Sequence, residues 1–159
     1  MFVHTNSAEE TESFGARLAR ARGQAGNTLA VVYLTGDLGA GKTTLARGFL
    51  HALGVAGAVR SPTYTLVEIY ETDALTALHL DLYRLSDPAE LDNLGLREWA
   101  RAGHLWLIEW PERGADRLPA ADLIVRLTAG DGGHDIDVSA RTALGSTWLA
   151  QVASAGPSS

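Results

Sequence analysis

Several residue types are missing or scarce in this chain of 159 residues, and each absence excludes a class of protein. There is no cysteine, which excludes disulfides and zinc sites with thiolate ligands. No apolar run approaches the ~20 residues that a membrane-spanning helix needs, and Met1 begins no signal-peptide pattern. We therefore expect a cytoplasmic protein that makes no membrane contact.

Basic residues are outnumbered, because 13 Lys and Arg stand against 19 Asp and Glu, for a formal net charge of −6. This balance disfavours autonomous binding to a polyanion. If a nucleic acid matters to the role of this chain, we expect another protein to hold it. The length and the 46% hydrophobic content suit one globular domain, predicted at residues 1–153, with a disordered polar tail at 154–159.

One glycine-rich stretch carries a chemical meaning. Residues 36–43 fit G-x-x-x-x-G-K-[ST], the phosphate-binding P-loop. Glycines permit positive φ, so the backbone N–H groups can form a nest around phosphate oxygens. Lys42, the only lysine in the chain, would reach the β/γ-phosphates, and the Thr43 hydroxyl would ligate Mg²⁺. The predicted nucleotide-binding residues are Gly36, Asp37, Leu38, Gly39, Ala40, Gly41, Lys42, Thr43 and Thr44.

The flanking residues supply the context that this motif requires. Residues 30–34 are apolar and partly β-branched, as in a buried parallel strand, and residues 44–53 suggest a helix whose N-terminus faces the phosphates. Residues 122–128 and 134–140 indicate two strands around a hairpin turn. We predict an α/β, P-loop NTPase-like three-layer fold, with a mostly parallel central sheet and an antiparallel C-terminal edge.

Weaker signals predict the remaining elements. Ser7 begins a capping box, which predicts a helix from Ala8 to about Gln24 before a turn at 26–27. This helix either packs on the sheet or also walls an adenine pocket around Thr11. The other predictions are an edge strand at 2–5, short helices at 88–94 (N-capped by Asp87) and 96–102, and a short element around Trp148. Trp110 is predicted as a core residue or a pocket wall, and His134 as a surface residue at the start of a strand.

Two further apolar runs end in an acid. Residues 75–80 lead to Asp81, and residues 105–108 lead to Glu109. An acid at the end of an apolar strand is the Walker-B arrangement, which anchors Mg²⁺ opposite the P-loop, and ligands of open parallel sheets lie at such ends. Each acid is therefore either a metal-side carboxylate or a capping group. A third segment, 61–65, is either a phosphate-sensing switch or a polar loop.

A P-loop leaves the reaction open. A GTPase needs a guanine-reading N-K-x-D, which the single lysine excludes, and a small-molecule kinase usually has an arginine-rich lid, whereas the arginines here are dispersed. A small ATPase that works with a protein partner fits best.

Four segments then carry a resemblance: residues 36–44, 61–67, 79–85 and 108–112. In this order they closely resemble the TsaE (YjeE) family, small bacterial P-loop ATPases of the tRNA threonylcarbamoyladenosine pathway, over about residues 7–140. The resemblance implies an ATPase that acts with TsaD and TsaB. In that pathway TsaD modifies adenosine 37 of tRNA, so this chain would meet tRNA only through the complex, and TsaE would use ATP to reset the TsaB–TsaD dimer.

The same resemblance implies roles for single residues. Lys42 and the loop backbone would bind the phosphates of ATP, Thr43 and Glu109 would hold Mg²⁺, and Asp81 would belong to the Walker-B-like motif. Lys42, Asp81 and Glu109 are thus the predicted catalytic residues. His134 departs from the family, where arginine is expected. We expect slow hydrolysis by the lone chain, and a nucleotide-gated binding module remains the alternative.

Overall fold

The computed structural model describes residues 1–22 and 28–156, which form one seven-stranded sheet with helices. The strands are β1 (Phe2–Thr5), β2 (Ala30–Thr35), β3 (Val67–Glu71), β4 (Thr76–Asp81), β5 (His104–Glu109), β6 (Leu123–Gly130) and β7 (Gly133–Ala140). The α-helices are α1 (Ala8–Ala21), α2 (Lys42–Ala52) and α3 (Ala143–Ser154). The spatial order of the strands is β1-β7-β6-β2-β5-β4-β3.

The centre of the sheet is parallel and both of its edges are antiparallel. Strands β4, β5, β2 and β6 run parallel as neighbours, while β7 and then β1 pair antiparallel on one side. This confirms the predicted fold class and the predicted edge strand at Phe2–Thr5. The antiparallel pairing of β3 with β4 at the other edge was not predicted.

The apolar side chains divide into two clusters, one on each face of the sheet. One cluster joins Val32, Leu34 and Leu107 to the helices, through residues such as Phe49 and Trp148. The other contains Val31, Leu78, Trp106 and Ile108, covered by Leu82, Leu85, Leu91 and Leu96. The three layers are confirmed, but the second outer layer consists of short segments rather than long α-helices.

Two of these short segments are the helices predicted after Asp87. They are the 3₁₀ helices Pro88–Leu94 and Leu96–Trp99. Asp87 caps the first of them, accepting a 2.9 Å hydrogen bond from the Ala89 N–H, as predicted. Gly95, with φ of 65°, separates the two and prevents one continuous helix.

The helix ends differ from the sequence expectations. The capping residue Ser7 accepts from the Glu10 N–H as predicted, but α1 ends at Ala21 rather than near Gln24, and residues 23–27, with the predicted turn, lie outside the described residues. The short element expected around Trp148 is the twelve-residue α3, which includes Ser154, the first residue of the predicted tail. Residues 157–159 lie outside the described part. None of the described helices has the length and hydropathy to cross a bilayer.

Two glycines allow α1 and α2 to approach closely. A Cβ at Gly15 would overlap the Leu45 carbonyl group, and a Cβ at Gly48 would overlap the Glu12 carbonyl group. Backbone therefore packs against backbone at this crossing, with Phe14 and Leu45 buried beside it. This contact fixes α2, and hence the loop before it, against the N-terminal helix.

We predict that Gly48→Ala destabilises the chain by about 1–3 kcal/mol, because the added methyl group must push the two helices apart. This loss should exceed the gain of about 1 kcal/mol that alanine brings to a helix interior. Urea denaturation measures the difference. The control is Ser13→Ala at an exposed position of α1, which should change stability by less than about 0.5 kcal/mol. Equal stability of Gly48→Ala and the wild type would contradict the close approach.

Candidate functional site

The glycine-rich loop lies between β2 and α2, as the motif requires. Gly36, Gly39 and Gly41 have φ values of 140°, 78° and 101°, which side chains rarely tolerate. Gly41 is also the N-cap residue of α2 and has no side chain with which to cap it. The first N–H groups of α2 are therefore available to an anion, where the helix dipole favours negative charge.

Lys42 is turned back into this loop. Its Nζ donates hydrogen bonds to the carbonyl oxygens of Gly36 (2.6 Å) and Asp37 (2.7 Å), and it lies 4.4 Å from the ring centroid of Trp110. The residue is only 5% exposed. Burial lowers the pKa of this ammonium group below its ordinary value, and the nearby carboxylates of Glu109 and Asp81 oppose part of that shift.

Thr43 and Glu109 are in contact, although they are 66 residues apart in the chain. The Thr43 hydroxyl, in the first turn of α2, donates to Glu109 Oε1 at the end of β5, at 2.9 Å. The Glu109 carboxylate is 2% exposed, and its Oε2 is 2.6 Å from His79 Nε2. A hydroxyl and a carboxylate oxygen beside a phosphate nest form the kind of ligand set that Mg²⁺ prefers.

Asp81 lies beside Glu109, because the two residues are register partners on the parallel strands β4 and β5. Its Oδ1 accepts from the Tyr83 N–H at 3.0 Å, and its Oδ2 accepts from the hydroxyls of Ser61 and Thr63. The second acid is therefore bonded to the segment predicted as a switch or polar loop. The contact connects that segment to the end of β4.

These groups surround a cavity of about 460 Å³. Six of the predicted nucleotide-binding residues line it: Leu38, Gly39, Gly41, Lys42, Thr43 and Thr44. Asp81 and Glu109 line it as well, so the structure brings all three predicted catalytic residues together. Gly36 and Asp37 instead line a neighbouring open cavity of about 710 Å³, and Ala40 is buried.

A metal ion would need more than the acidic and imidazole groups of the chain. The described residues contain no group of three or more His, Asp or Glu side chains arranged to hold one. Mg²⁺ typically keeps several waters and takes only one or two protein ligands together with phosphate oxygens. Thr43 and Glu109 therefore fit a magnesium ion that arrives with a nucleotide.

The prediction for His134 is confirmed only in part, because the residue lies at the start of β7 as expected but does not lie on open surface. This residue is half-buried and lines the same cavity, with its Nδ1 2.9 Å from Thr11 Oγ1. Its ring lies so close to Gly41 that a Cβ there would be 3.1 Å from the imidazole. The strand pairing explains this position. Because β7 pairs with both β1 and β6, its first residues lie beside the glycine-rich loop.

The contacts of Thr11 support the first of the two roles predicted for α1, which is packing against the sheet. It is fully buried, and its hydroxyl bonds to Thr5 Oγ1 at 2.7 Å as well as to His134. It supports the imidazole from behind, inside the α1–β1 contact. An adenine contact around Thr11 stays a prediction.

Sequence reasoning missed the role of His79 beside the acids, whereas Trp110 lines the cavity as one of its two predicted roles, a pocket wall. His79 is fully buried against Glu109, and Trp110, with φ of 58°, places its ring over Lys42 and 5.0 Å from the Tyr83 ring. A signal for His79 was available: it precedes Asp81 by two residues on one strand, so both side chains lie on one face. The left-handed backbone of Trp110 has no such signal.

The fold and this site define a class of protein, namely an α/β protein with a single sheet. In this class a glycine-rich loop of P-loop sequence joins a central strand to a helix and faces two acids at the ends of neighbouring strands. The family model described as "Threonylcarbamoyl adenosine biosynthesis protein TsaE" matches residues 5–136. The chain therefore belongs to the TsaE family, as the sequence resemblance implied.

Individual relatives agree with this assignment. The chain is 50% identical to the tRNA threonylcarbamoyladenosine biosynthesis protein TsaE of Haemophilus influenzae over 115 residues, 72% of this chain and 73% of that protein. It is 39% identical to the Bacillus subtilis protein of the same name over 137 residues, 86% of this chain and 83% of that one. The crystal structure of Bacillus subtilis YdiB superposes with a TM-score of 0.79 at 29% identity, covering 98% of this chain and 95% of that one.

The burial of Lys42 leads to a prediction about pH and stability. Because its pKa is lowered in the fold, the unfolded chain binds the proton more tightly between that pKa and the ordinary value of 10.5. The charged lysine therefore costs folding free energy at neutral pH, and the cost is relieved as the pH rises through this window. Relative to Lys42→Met, the wild type should gain stability between pH 7 and about pH 10.

Urea denaturation of both chains at the two pH values measures this difference. Using the difference between them cancels alkaline effects that other groups contribute equally. If the difference in unfolding free energy between the two chains is the same at both pH values, or if the wild type loses stability relative to Lys42→Met as the pH rises, Lys42 is not held in the desolvated position described here.

Proposed function

We propose that this chain binds and hydrolyses ATP as an accessory protein in the synthesis of N6-threonylcarbamoyladenosine at position 37 of tRNA. The observation that carries the proposal is the hydrogen bond between Thr43 and Glu109 beside the glycine-rich loop. It supports the proposal because P-loop proteins use a hydroxyl and an acid beside the loop to hold the magnesium ion of their nucleotide. The family membership supports the tRNA pathway, since the relatives carry its name.

The phosphates of ATP are proposed to occupy the nest formed by residues 36–44. The uncapped N–H groups at the start of α2 would hold them, and Lys42 would exchange its two loop carbonyls for phosphate oxygens. This exchange gives the buried ammonium group an anionic partner, and the attraction offsets part of the free-energy cost of its desolvation. A bound Mg²⁺, held by Thr43 and Glu109, would neutralise charge on the phosphate oxygens.

The two acids are proposed to have different roles. Glu109 faces Thr43 and belongs to the metal side, whereas Asp81 is bonded to the hydroxyls of Ser61 and Thr63. When that segment moves away from Asp81, the carboxylate is released and can orient the attacking water. The segment 61–65 thereby acts as the switch that determines when the site is competent.

Hydrolysis by the lone chain is proposed to be slow. Among the described residues that line the cavity, Arg84 carries the guanidinium group, and it is held 4.5 Å from the ring centroid of Tyr64. A partner that displaces Tyr64, or that supplies its own arginine, would complete the charge stabilisation of the transition state. We propose TsaB-like and TsaD-like proteins as these partners, with tRNA held by them because this chain is acidic.

A nucleotide-gated binding module is the second candidate function. Leu38 is 70% exposed and Tyr64 is 83% exposed, one in the loop that would hold the phosphates and one in the proposed switch. Apolar groups in such places can dock a partner only when nucleotide orders both segments. In that case ATP occupancy alone would promote assembly, and hydrolysis would be incidental.

We predict that ATP turnover by the chain alone is slow and rises at least about tenfold with the TsaB–TsaD pair, a lower bound set well below the 10³–10⁵ of known trans-acting arginines. Phosphate release measures the rate. Lys42→Met is the control: it should lose nucleotide binding while remaining folded, because its side chain keeps the size but not the charge.

Equal turnover with and without partners would contradict the proposed completion of the site. Nucleotide binding by Lys42→Met at wild-type affinity would contradict the phosphate assignment. Repeated rounds of tRNA modification with a non-hydrolysable ATP analogue would favour the binding module over the ATPase.

A further inference from the structure

The most deeply buried ionisable contact in the described part of the chain lies beneath the site. His79 and Glu109 are 0% and 2% exposed, and their Nε2 and Oε2 atoms are 2.6 Å apart. A buried polar pair of this kind costs desolvation free energy, which the fold recovers only when the geometry is good. The proposed ATPase mechanism gives His79 no task, so the contact calls for a separate explanation.

We propose that His79 is a positioning residue, which holds the Glu109 carboxylate in the orientation that lets its other oxygen face Thr43 and a magnesium ion. The inference rests on the proposed function, because it concerns the metal side of the ATP site. It assigns a task to a residue that does not line the cavity.

The two oxygens of Glu109 have separate partners. Oε2 contacts His79 within the sheet, while Oε1 accepts from the Thr43 hydroxyl at 2.9 Å. A carboxylate that is held at one oxygen cannot rotate freely about its terminal bond. Oε1 is therefore held facing the cavity. Residues that hydrogen-bond to a metal ligand in this way are known to tune metal affinity.

The strand pairing explains why the histidine can reach this acid. His79 and Asp81 lie on the same face of β4, and in the parallel register His79 is opposite Leu107 while Asp81 is opposite Glu109. The imidazole therefore lies one step below the row of acids, on the face that α2 covers. Leu107 and the apolar residues of α2 belong to the cluster on this face, and His79 is fully buried there.

The other ring nitrogen indicates which tautomer is present. His79 Nδ1 is buried and has no hydrogen-bond partner among the described residues. A proton on Nδ1 would be a buried donor without an acceptor, which costs more than an unused lone pair. The geometry therefore assigns the proton to Nε2, so that the Nε2–H of His79 donates to Glu109 Oε2.

Three variants separate this task from simple filling of space. In His79→Gln the amide nitrogen can take the place of Nε2 and still donate to Glu109, whereas His79→Leu fills a similar volume without a donor. His104→Leu is the matched control, because that histidine begins the neighbouring strand β5 and bonds to the Trp99 carbonyl oxygen at 2.8 Å. Thermal unfolding shows that each variant is folded.

The measurement is the affinity for a fluorescent ADP analogue over a series of Mg²⁺ concentrations, read as binding rather than as turnover. For His79→Leu we expect the half-saturating Mg²⁺ concentration to rise about 10- to 100-fold, and for His79→Gln to stay within about threefold of the wild type. His104→Leu should match the wild type, and metal-free affinities should agree in all four chains.

An unchanged Mg²⁺ requirement in folded His79→Leu would overturn the inference and leave the proposed function standing. An equal loss in the Gln and Leu variants would also overturn it, because the donor would then be irrelevant. If His79→Leu fails to fold, His79→Asn replaces it, since its shorter amide cannot reach Glu109. No nucleotide binding by the wild type at any Mg²⁺ concentration would instead refute the proposed function, and the inference with it.

Discussion

The hydrogen bond from the Thr43 hydroxyl to Glu109 is the contact on which the site depends. It joins the first turn of α2 to the last residue of β5. It forms only because β2 and β5 are parallel neighbours, so that the loop leaving β2 passes over the end of β5. The close approach of α1 and α2 at Gly15 and Gly48 then prevents the helix from moving away.

The site buries polar and charged groups, which stabilise a fold less than buried apolar side chains do. Lys42, Asp81 and Glu109 are each at most 5% exposed, and each is held by hydrogen bonds from or to neighbouring groups. Buried charged groups are tolerated when hydrogen bonds satisfy them, but they do not add to stability as apolar side chains would. Their concentration at the carboxyl ends of the parallel strands is the expected signature of a functional site.

Much of the fold and the core of the site could be predicted from the sequence, because local patterns determine them. The glycine spacing around Lys42 and the apolar runs ending in Asp81 and Glu109 specify a loop and two strand ends. The hairpin residues between β6 and β7 specify the antiparallel edge. The contact between Thr43 and Glu109, however, was implied by the family resemblance and not by any local pattern.

The remaining features arise from tertiary contacts that no local pattern encodes. The local pattern at His134 is that of a surface residue, but the pairing of β7 with β1 places it beside Gly41. Lys42 bonds to its own loop because a buried ammonium group takes the nearest carbonyl oxygens. The segments around Leu91 form two 3₁₀ helices separated at Gly95, and their Leu91 and Leu96 side chains pack in the cluster on this face of the sheet.

A crystal structure of the chain with ADP and Mg²⁺ tests the central claim most directly. The account predicts phosphate oxygens bonded to the N–H groups of residues 39–43, Lys42 Nζ moved from the Gly36 and Asp37 carbonyl oxygens onto phosphate, and the metal between Thr43 and Glu109. A nucleotide bound in the neighbouring cavity beside Arg126, with Lys42 still on its loop carbonyls, would contradict it.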